Sequence, residues 1–324
     1  MMSRNFVVFW LIVLMIALSG AVNVRSQSLS SFDFLRLAPS AQAAALGGTL
    51  LTSTSSQASA MFYNPALLDK KADGALSISW LNHLSDLQAG TVTYSRDLGV
   101  LGMAAVGTRF IYWGRIPRSD QYGESSSSFS SGNIALTAGL SRSWLPQLRY
   151  GANLHIAYTS IAEFNALAVA IDAGIVYYIP EQEFTLSAGA SNIGVTLSSL
   201  GQTRDEVPLD LRIAVSKQLR YIPVLVGLTL NNLQNVHQIT SVDKGFRHAI
   251  FSLEFRAIPV FHLRLGYNHR KRNLKSDQRL DLAGTAVGFG LRIRRFHLDY
   301  SFSSWSFAGL HQFTVMTHFN RRDQ

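Results

Sequence analysis

From Ala75 onward the chain repeats one pattern: apolar residues alternate with polar or small ones over stretches of about ten residues, separated by clusters of turn formers. Leu298, Tyr300 and Phe302 share one face of such a stretch, and His297, Asp299 and Ser301 share the other. The split recurs with Phe261, Leu263, Leu265 and Tyr267 against His262, Arg264, Gly266 and Asn268, and with Tyr150, Leu154, Ile156 and Tyr158 against Gly151, Asn153 and His155. A period of two places these sets on opposite faces of a sheet. The pattern predicts strands near 75–81, 88–97, 99–112, 132–143, 148–161, 166–179, 183–192, 207–218, 222–232, 246–256, 259–270, 280–293, 295–304 and 309–320.

The links between these strands alternate in length. Asn82 to Leu87, Trp113 to Ser131, Ile193 to Glu206, Leu233 to Gly245 and Lys271 to Arg279 are the longer ones; 162–165 and 305–308 are shorter outward links. Asp97-Leu98, Leu145 to Gln147, Pro180 to Gln182, Leu219 to Tyr221 and Ile258 are tight. Short periplasmic turns facing longer outer loops belong to a membrane barrel of even strand number. The strand lengths suit a tilted crossing, and closure leaves no sheet edge facing lipid. Tyr112, Trp113, Trp144, Tyr177, Tyr178, Trp305 and Phe307 lie near strand ends, where rings sit at headgroup level. The expected fold is all-β: a transmembrane antiparallel β-barrel of about 14 strands with an N-terminal lumen-associated segment.

The first residues read differently. Arg4 precedes an unbroken apolar run from Phe6 to Leu18, the form of an export signal cleaved after Ala21 or after Ser26. The following residues are rich in Ser, Ala, Leu and Gly with little alternation. The chain therefore divides into a signal peptide (1–26), a plug or hatch segment (27–74), a barrel (75–320) and a polar tail (321–324). Phe319 ends the last strand in the manner of an outer-membrane assembly signal, and the expected location is the outer membrane of a Gram-negative cell.

Composition narrows the chemistry. A hydrophobic share of 47% with a mean hydropathy of only +0.13 fits alternating strands and is too low for a bundle of membrane helices. There is no cysteine, hence no disulfide, thiolate catalyst or lipid-modified cysteine. The net charge of +9 is scattered over turns and strands, so no nucleic-acid partner is expected. No metalloprotease, nucleophile-elbow, phosphate-loop or EF-hand spacing occurs, and neither an enzyme nor a cofactor is expected. His262 and His297 join Arg264, Asp299 and Glu254 as a lumenal polar patch, read either as a charge-compensated interior or as a transport or proton path. Gly288 and Gly290 fit a strand bend or a close approach by the plug. The long outer links nominate Tyr122, Phe129, Leu197, Leu200, Val236 and His237 as partner-binding residues, with Ser125 to Ser131 as a polar recognition loop.

The block Ser40 to Gly48, followed by Met61 to Leu68, resembles the N-terminal signature of the PorQ and PorV group of the type IX secretion system, distantly similar to FadL-type barrels. Leu263 to Asn268, Arg272 to Lys275, Gly288 to Ile293, Phe296 to Tyr300 and Ala308-Gly309 favour the PorQ family. The resemblance implies a fourteen-stranded barrel with its N-terminal segment in the lumen. It also implies PorZ-, PorU- and PorV-like partners at outer-membrane lipid and lipopolysaccharide, with the chemistry belonging to PorU and the barrel anchoring PorZ. The alternative is a FadL-like transporter of hydrophobic small molecules, which calls for an apolar pocket and a lateral opening.

Overall fold

The computed structural model describes residues 30–50, 57–82, 87–119, 125–201, 205–272, 282–305 and 308–319; the signal peptide and the polar tail lie outside them. Fourteen antiparallel strands form one closed barrel, each paired with its sequence neighbours, with the first paired to the last. They are β1 (Ala75–Asn82), β2 (Gln88–Asp97), β3 (Met103–Ser119), β4 (Ser125–Leu145), β5 (Leu148–Ile161), β6 (Phe164–Ile179) and β7 (Phe184–Ser198). The second half comprises β8 (Asp210–Gln218), β9 (Val224–Leu230), β10 (Ala249–Ile258), β11 (Phe261–Asn268), β12 (Thr285–Ile293), β13 (Phe296–Trp305) and β14 (Ala308–His318). Closure runs from Ala75 opposite His318 to Asn82 opposite His311.

The alternation in sequence becomes an inside and an outside. Phe251, Leu253, Leu263, Leu265, Val287, Phe289, Leu298, Phe313 and Val315 are exposed outward, whereas Arg264, Asp299, Ser301 and Thr314 are buried inward. A continuous outer band of this kind is the lipid-facing surface of a membrane barrel. No helix among the described residues is long and apolar enough to cross a membrane. Leu265 sits mid-band between Leu253 and Val287 on the adjacent strands. Leu265→Lys is expected to cost about 2–4 kcal/mol of folding stability in bilayers, the range for a cation near the midplane. Denaturant titration of barrel folded into vesicles reads this, and an unchanged midpoint would mean that this face meets no lipid.

Trp144 is exposed near the end of β4, whereas Tyr112 and Trp113, expected at a strand end, are exposed midway along β3 because that strand runs on; Tyr177 and Tyr178 are partly exposed. Phe307 and the Trp305 side chain fall outside the description. Two links differ from expectation. The link expected from Trp113 to Ser131 is largely strand, since β3 runs on to Ser119 and β4 begins at Ser125. Likewise β7 continues to Ser198, beyond the expected 192. In both cases a neighbouring strand offers ladder partners, which local composition does not reveal.

The described part of residues 30–74 lies inside the barrel. The one-turn helix Ala41–Ala45 begins at Ser40, whose hydroxyl accepts from Ala43 N–H at 3.4 Å. It ends at Gly47 and Gly48, both at positive φ, where Gly48 N–H returns to Ala43 O at 2.9 Å. Its small side chains are buried against β11 to β14. Asn64 caps the 3-10 turn Pro65–Leu67, accepting from Ala66 N–H at 2.9 Å just ahead of Pro65.

Candidate functional site

The plug has little secondary structure, so its buried backbone groups need partners from elsewhere. Inward polar side chains of the wall supply them. Asn133 and Thr159 donate to Ser31 O, each at 3.1 Å. Gln312 donates to Ala38 O at 3.1 Å and Thr91 to Pro39 O at 2.7 Å. Ser252 donates to Leu46 O and Asn268 to Gly47 O, each at 3.1 Å, and Asn153 donates to Met61 O at 2.8 Å. Arg109 donates to Leu35 O while its guanidinium lies 4.5 Å from the Phe62 ring centroid. At the base, Asp69 meets Arg149 at 3.3 Å and Asp73 meets Arg96 at 3.8 Å. Burial raises the Asp69 carboxyl above its usual range against the pull of Arg149. The polar lumen is thus the complement of an irregular chain.

Glycines make the close fit possible. A Cβ on Gly288 would meet Tyr300 O and Ala45 Cβ, so the bare strand admits the plug helix. A Cβ on Gly290 would meet Asp299 Oδ1 and the Arg264 guanidinium, so this gap lets Arg264 cross to Asp299.

The polar patch read from the sequence comes together. Glu254 accepts from Arg264 Nε and Arg256 Nε, each at 2.9 Å, with His262 Nδ1 at 3.3 Å. Arg264 also donates to Asp299, which accepts from the plug's Gln57 at 3.0 Å. The result is a buried, charge-compensated chain from β10 to the plug.

A further group was not legible in advance. Thr137 Oγ1 lies 2.7 Å from His155 Nδ1, and His155 Nε2 lies 2.6 Å from Asp172. The order of hydroxyl, imidazole and carboxylate is that of a nucleophilic triad. Thr137 is only 5% exposed, however, and none of the three lines either of the cavities described below. Asp172 instead accepts from Asn192 N–H at 2.7 Å, where Asn192 has φ +61 and the β6–β7 register shifts. The trio holds a bulge in the wall. Among the described residues no three metal-ligating side chains gather.

Two cavities flank the plug. The larger, about 830 Å³, opens toward the longer links. Apolar Leu35, Leu37 and Val207 share its wall with Asp33, Arg36, Asp210, Arg212 and Lys271. Arg212 pairs with Asp210, and burial lowers the Lys271 amine to about 8. The smaller, about 280 Å³, lies toward the tight turns and is lined by the Glu254–Arg264–Asp299 chain.

The β7–β8 pairing stops short of the end of β7. Their ladder ends with Ser191 opposite Asp210, although β7 continues to Ser198. Beyond it Asn192 donates to Pro208 O at 3.2 Å and Thr196 donates to Asp205 O. On the other side of β8, whose ladder with β9 ends at Ile213 opposite Leu230, Gln234 stands in for a strand, accepting from Leu211 N–H at 3.0 Å and donating to Leu209 O at 2.6 Å.

At the outer rim β3 and β4 leave the barrel as a two-stranded ribbon. β2 stops at Gln88 opposite Tyr112 and β5 at Ile161 opposite Ser131, while β3 and β4 pair on to Ser119 opposite Ser125. The expected partner residue Phe129 sits in this ribbon opposite Ile116, and Tyr122 lies outside the described residues. Leu197 is exposed near the end of β7, and Val236 is exposed in the 3-10 turn Leu233–Gln238, which also holds His237. Leu200 turns inward and packs on the cluster containing Phe32 and Leu35.

No protein-family model matches the chain, and no curated protein matches it in sequence. The chain does superpose on the Pseudomonas putida toluene transporter TodX with a TM-score of 0.56 and 14% identity, over 86% of this chain and 97% of that one. A Pseudomonas aeruginosa FadL homologue gives a TM-score of 0.55 at 11% identity, over 87% and 98% of the two chains. At such identities the likeness defines the fold, that of FadL-like outer-membrane barrels.

Proposed function

We propose that this chain is a non-enzymatic outer-membrane anchor of the type IX secretion system, holding a PorZ-like surface protein within a complex with PorU- and PorV-like proteins. The observation that carries the reading is the filled lumen: wall side chains from β2 round to β14 bond the plug backbone. The charged lining of the larger cavity supports it too, because a path for hydrophobic molecules calls for continuous apolar surface. The partners themselves are supported by the resemblance of Ser40 to Gly48, Met61 to Leu68 and the second-half blocks to the PorQ family.

A second reading, a channel for hydrophobic small molecules, has the structural comparisons on its side, since TodX is a toluene transporter. The stretch of β7 beyond Ser191 that has no ladder partner in β8, beside an 830 Å³ cavity, also favours it, as a seam through which a ligand could leave sideways.

Affinity isolation of the tagged chain from detergent-solubilised outer membrane separates the two. The anchor reading expects PorZ-, PorU- and PorV-like proteins to be retained. Shortening the ribbon between Gly114 and Ser130 to a tight turn is expected to release the surface partner and leave the barrel folded. Recovery of the barrel alone, loaded with hydrophobic small molecules, would replace the anchor with the channel.

A further inference from the structure

Both readings set the barrel in a membrane, and neither assigns a ligand to its surface at the tight-turn end. There β4 and β5 carry three donors on their outward side. Arg142 follows Ser141, which is buried inward, and shares its face with the exposed Leu140. Tyr150 stands directly opposite Arg142 in the ladder, and Trp144 lies two residues further along β4. All three are exposed, Trp144 at 76%. Among the described residues the Arg142 guanidinium, the Trp144 indole N–H and the Tyr150 hydroxyl make no hydrogen bond or ion pair. The neighbouring cations Lys70, Arg96 and Arg149 are by contrast paired with Asp97, Asp73 and Asp69.

The turn beside these donors is apolar where a water-facing turn would be polar. Between β2 and β3 the 3-10 turn Gly99–Leu101 exposes Val100 at 83% and Leu101 at 61%. It lies against the donors, since a Cβ on the following Gly102 would meet Ser141 O and Arg142 Cα. Exposed apolar side chains gathered in this way mark a surface that something covers. Two features say what. The patch continues the lipid-facing band, which reaches Arg142 through the exposed Leu136 and Leu140 on the same face of β4. Its uncommitted charge is positive, so the complement is an anion attached to an apolar body. A guanidinium at the edge of a lipid face reaches toward phosphate oxygens, and indole and phenol groups settle at headgroup level.

We propose that Arg142, Trp144 and Tyr150 bind the phosphodiester of an anionic phospholipid in the leaflet at the tight turns, with Val100 and Leu101 seated beside its acyl chains. The full chain in uncharged detergent is titrated with phosphatidylglycerol and, separately, with phosphatidylcholine and with lipid A, and retained lipid is counted by native mass spectrometry. Saturable retention of phosphatidylglycerol over phosphatidylcholine is expected, weakened about tenfold by Arg142→Gln, the loss of one charge-assisted contact. Arg142 is exposed and unpaired, so its replacement leaves the ladder in place. Arg118→Gln, in the ribbon at the opposite end, is expected to retain phosphatidylglycerol like the unaltered chain. Equal retention of phosphatidylglycerol and phosphatidylcholine by the unaltered chain, or equal losses from Arg142→Gln and Arg118→Gln, would overturn the site. A preference for lipid A over phosphatidylglycerol would overturn it as well, because lipid A belongs to the other leaflet.

Discussion

Gly266→Ala is expected to dislodge the plug around Leu46 and Gly47 while leaving the strands paired. Gly266 faces inward from β11, and a methyl there would meet Gly47 N, Leu46 C and Ala45 O, all within 3.0 Å. These are backbone atoms and cannot swing aside as a side chain could. Gly47 is held at φ +83 and its own Cβ position is closed by Ile250, so the turn has no second arrangement nearby. Moving it forfeits the bonds from Ser252 to Leu46 O and from Asn268 to Gly47 O. Overpacking of about 1–3 kcal/mol, with about 1 kcal/mol for each lost bond, gives a cost of about 3–5 kcal/mol. Limited proteolysis reads the plug, and the heat needed to unfold the barrel in detergent reads the wall. The expected result is faster cleavage near residue 47 with the strands intact; a plug as resistant as before would mean that these contacts do not hold it.

Arg264→Met has the second large effect, by a different route. The methionine keeps much of the volume but leaves Glu254 and Asp299 without their shared cation, at 1% and 4% side-chain exposure. Breaking a buried ion pair from one side costs about 3–5 kcal/mol, because a charge is left where water does not reach. Glu254 retains Arg256, which places the loss toward the lower end of that range. Adding Asp299→Asn removes one stranded charge, so the double variant is expected to be more stable than Arg264→Met alone. Unfolding midpoints of the two single variants and the double test this, and simple additivity would show that the pair is not coupled.

Much of this architecture is legible in the sequence because a strand writes its two faces at alternate positions. Leu298, Tyr300 and Phe302 separate from His297, Asp299 and Ser301 without reference to anything distant, and hairpin connectivity makes sequence neighbours spatial ones. The grouping of His262, Arg264, Glu254, Asp299 and His297 follows from the same two rules. The ribbon does not, because a serine run carries no apolar alternation and only Ile116 opposite Phe129 marks it as strand. Leu200 falls in a stretch read as an outward link, and only the packed cluster shows it turning inward. The Thr137–His155–Asp172 trio needs the register of three strands to one residue, finer than alternation supplies. The plug's ties depend on residues up to 274 positions away, and nothing local announces them.

Ala41 N–H donates to the hydroxyl of Thr314, 273 residues later, in the strand that also closes the barrel against β1. An early segment of the chain therefore acquires one of its final partners only when the last strand arrives. Ring closure and filling become interdependent events in assembly, and contacts of such sequence separation are slow to form. Until then two incomplete surfaces coexist, an open sheet edge and an apolar, alanine-rich segment without its wall, each prone to pairing with the wrong chain. Successful biogenesis thus requires the N-terminal segment to be sheltered until β14 is delivered, which makes the last strand the checkpoint for the first.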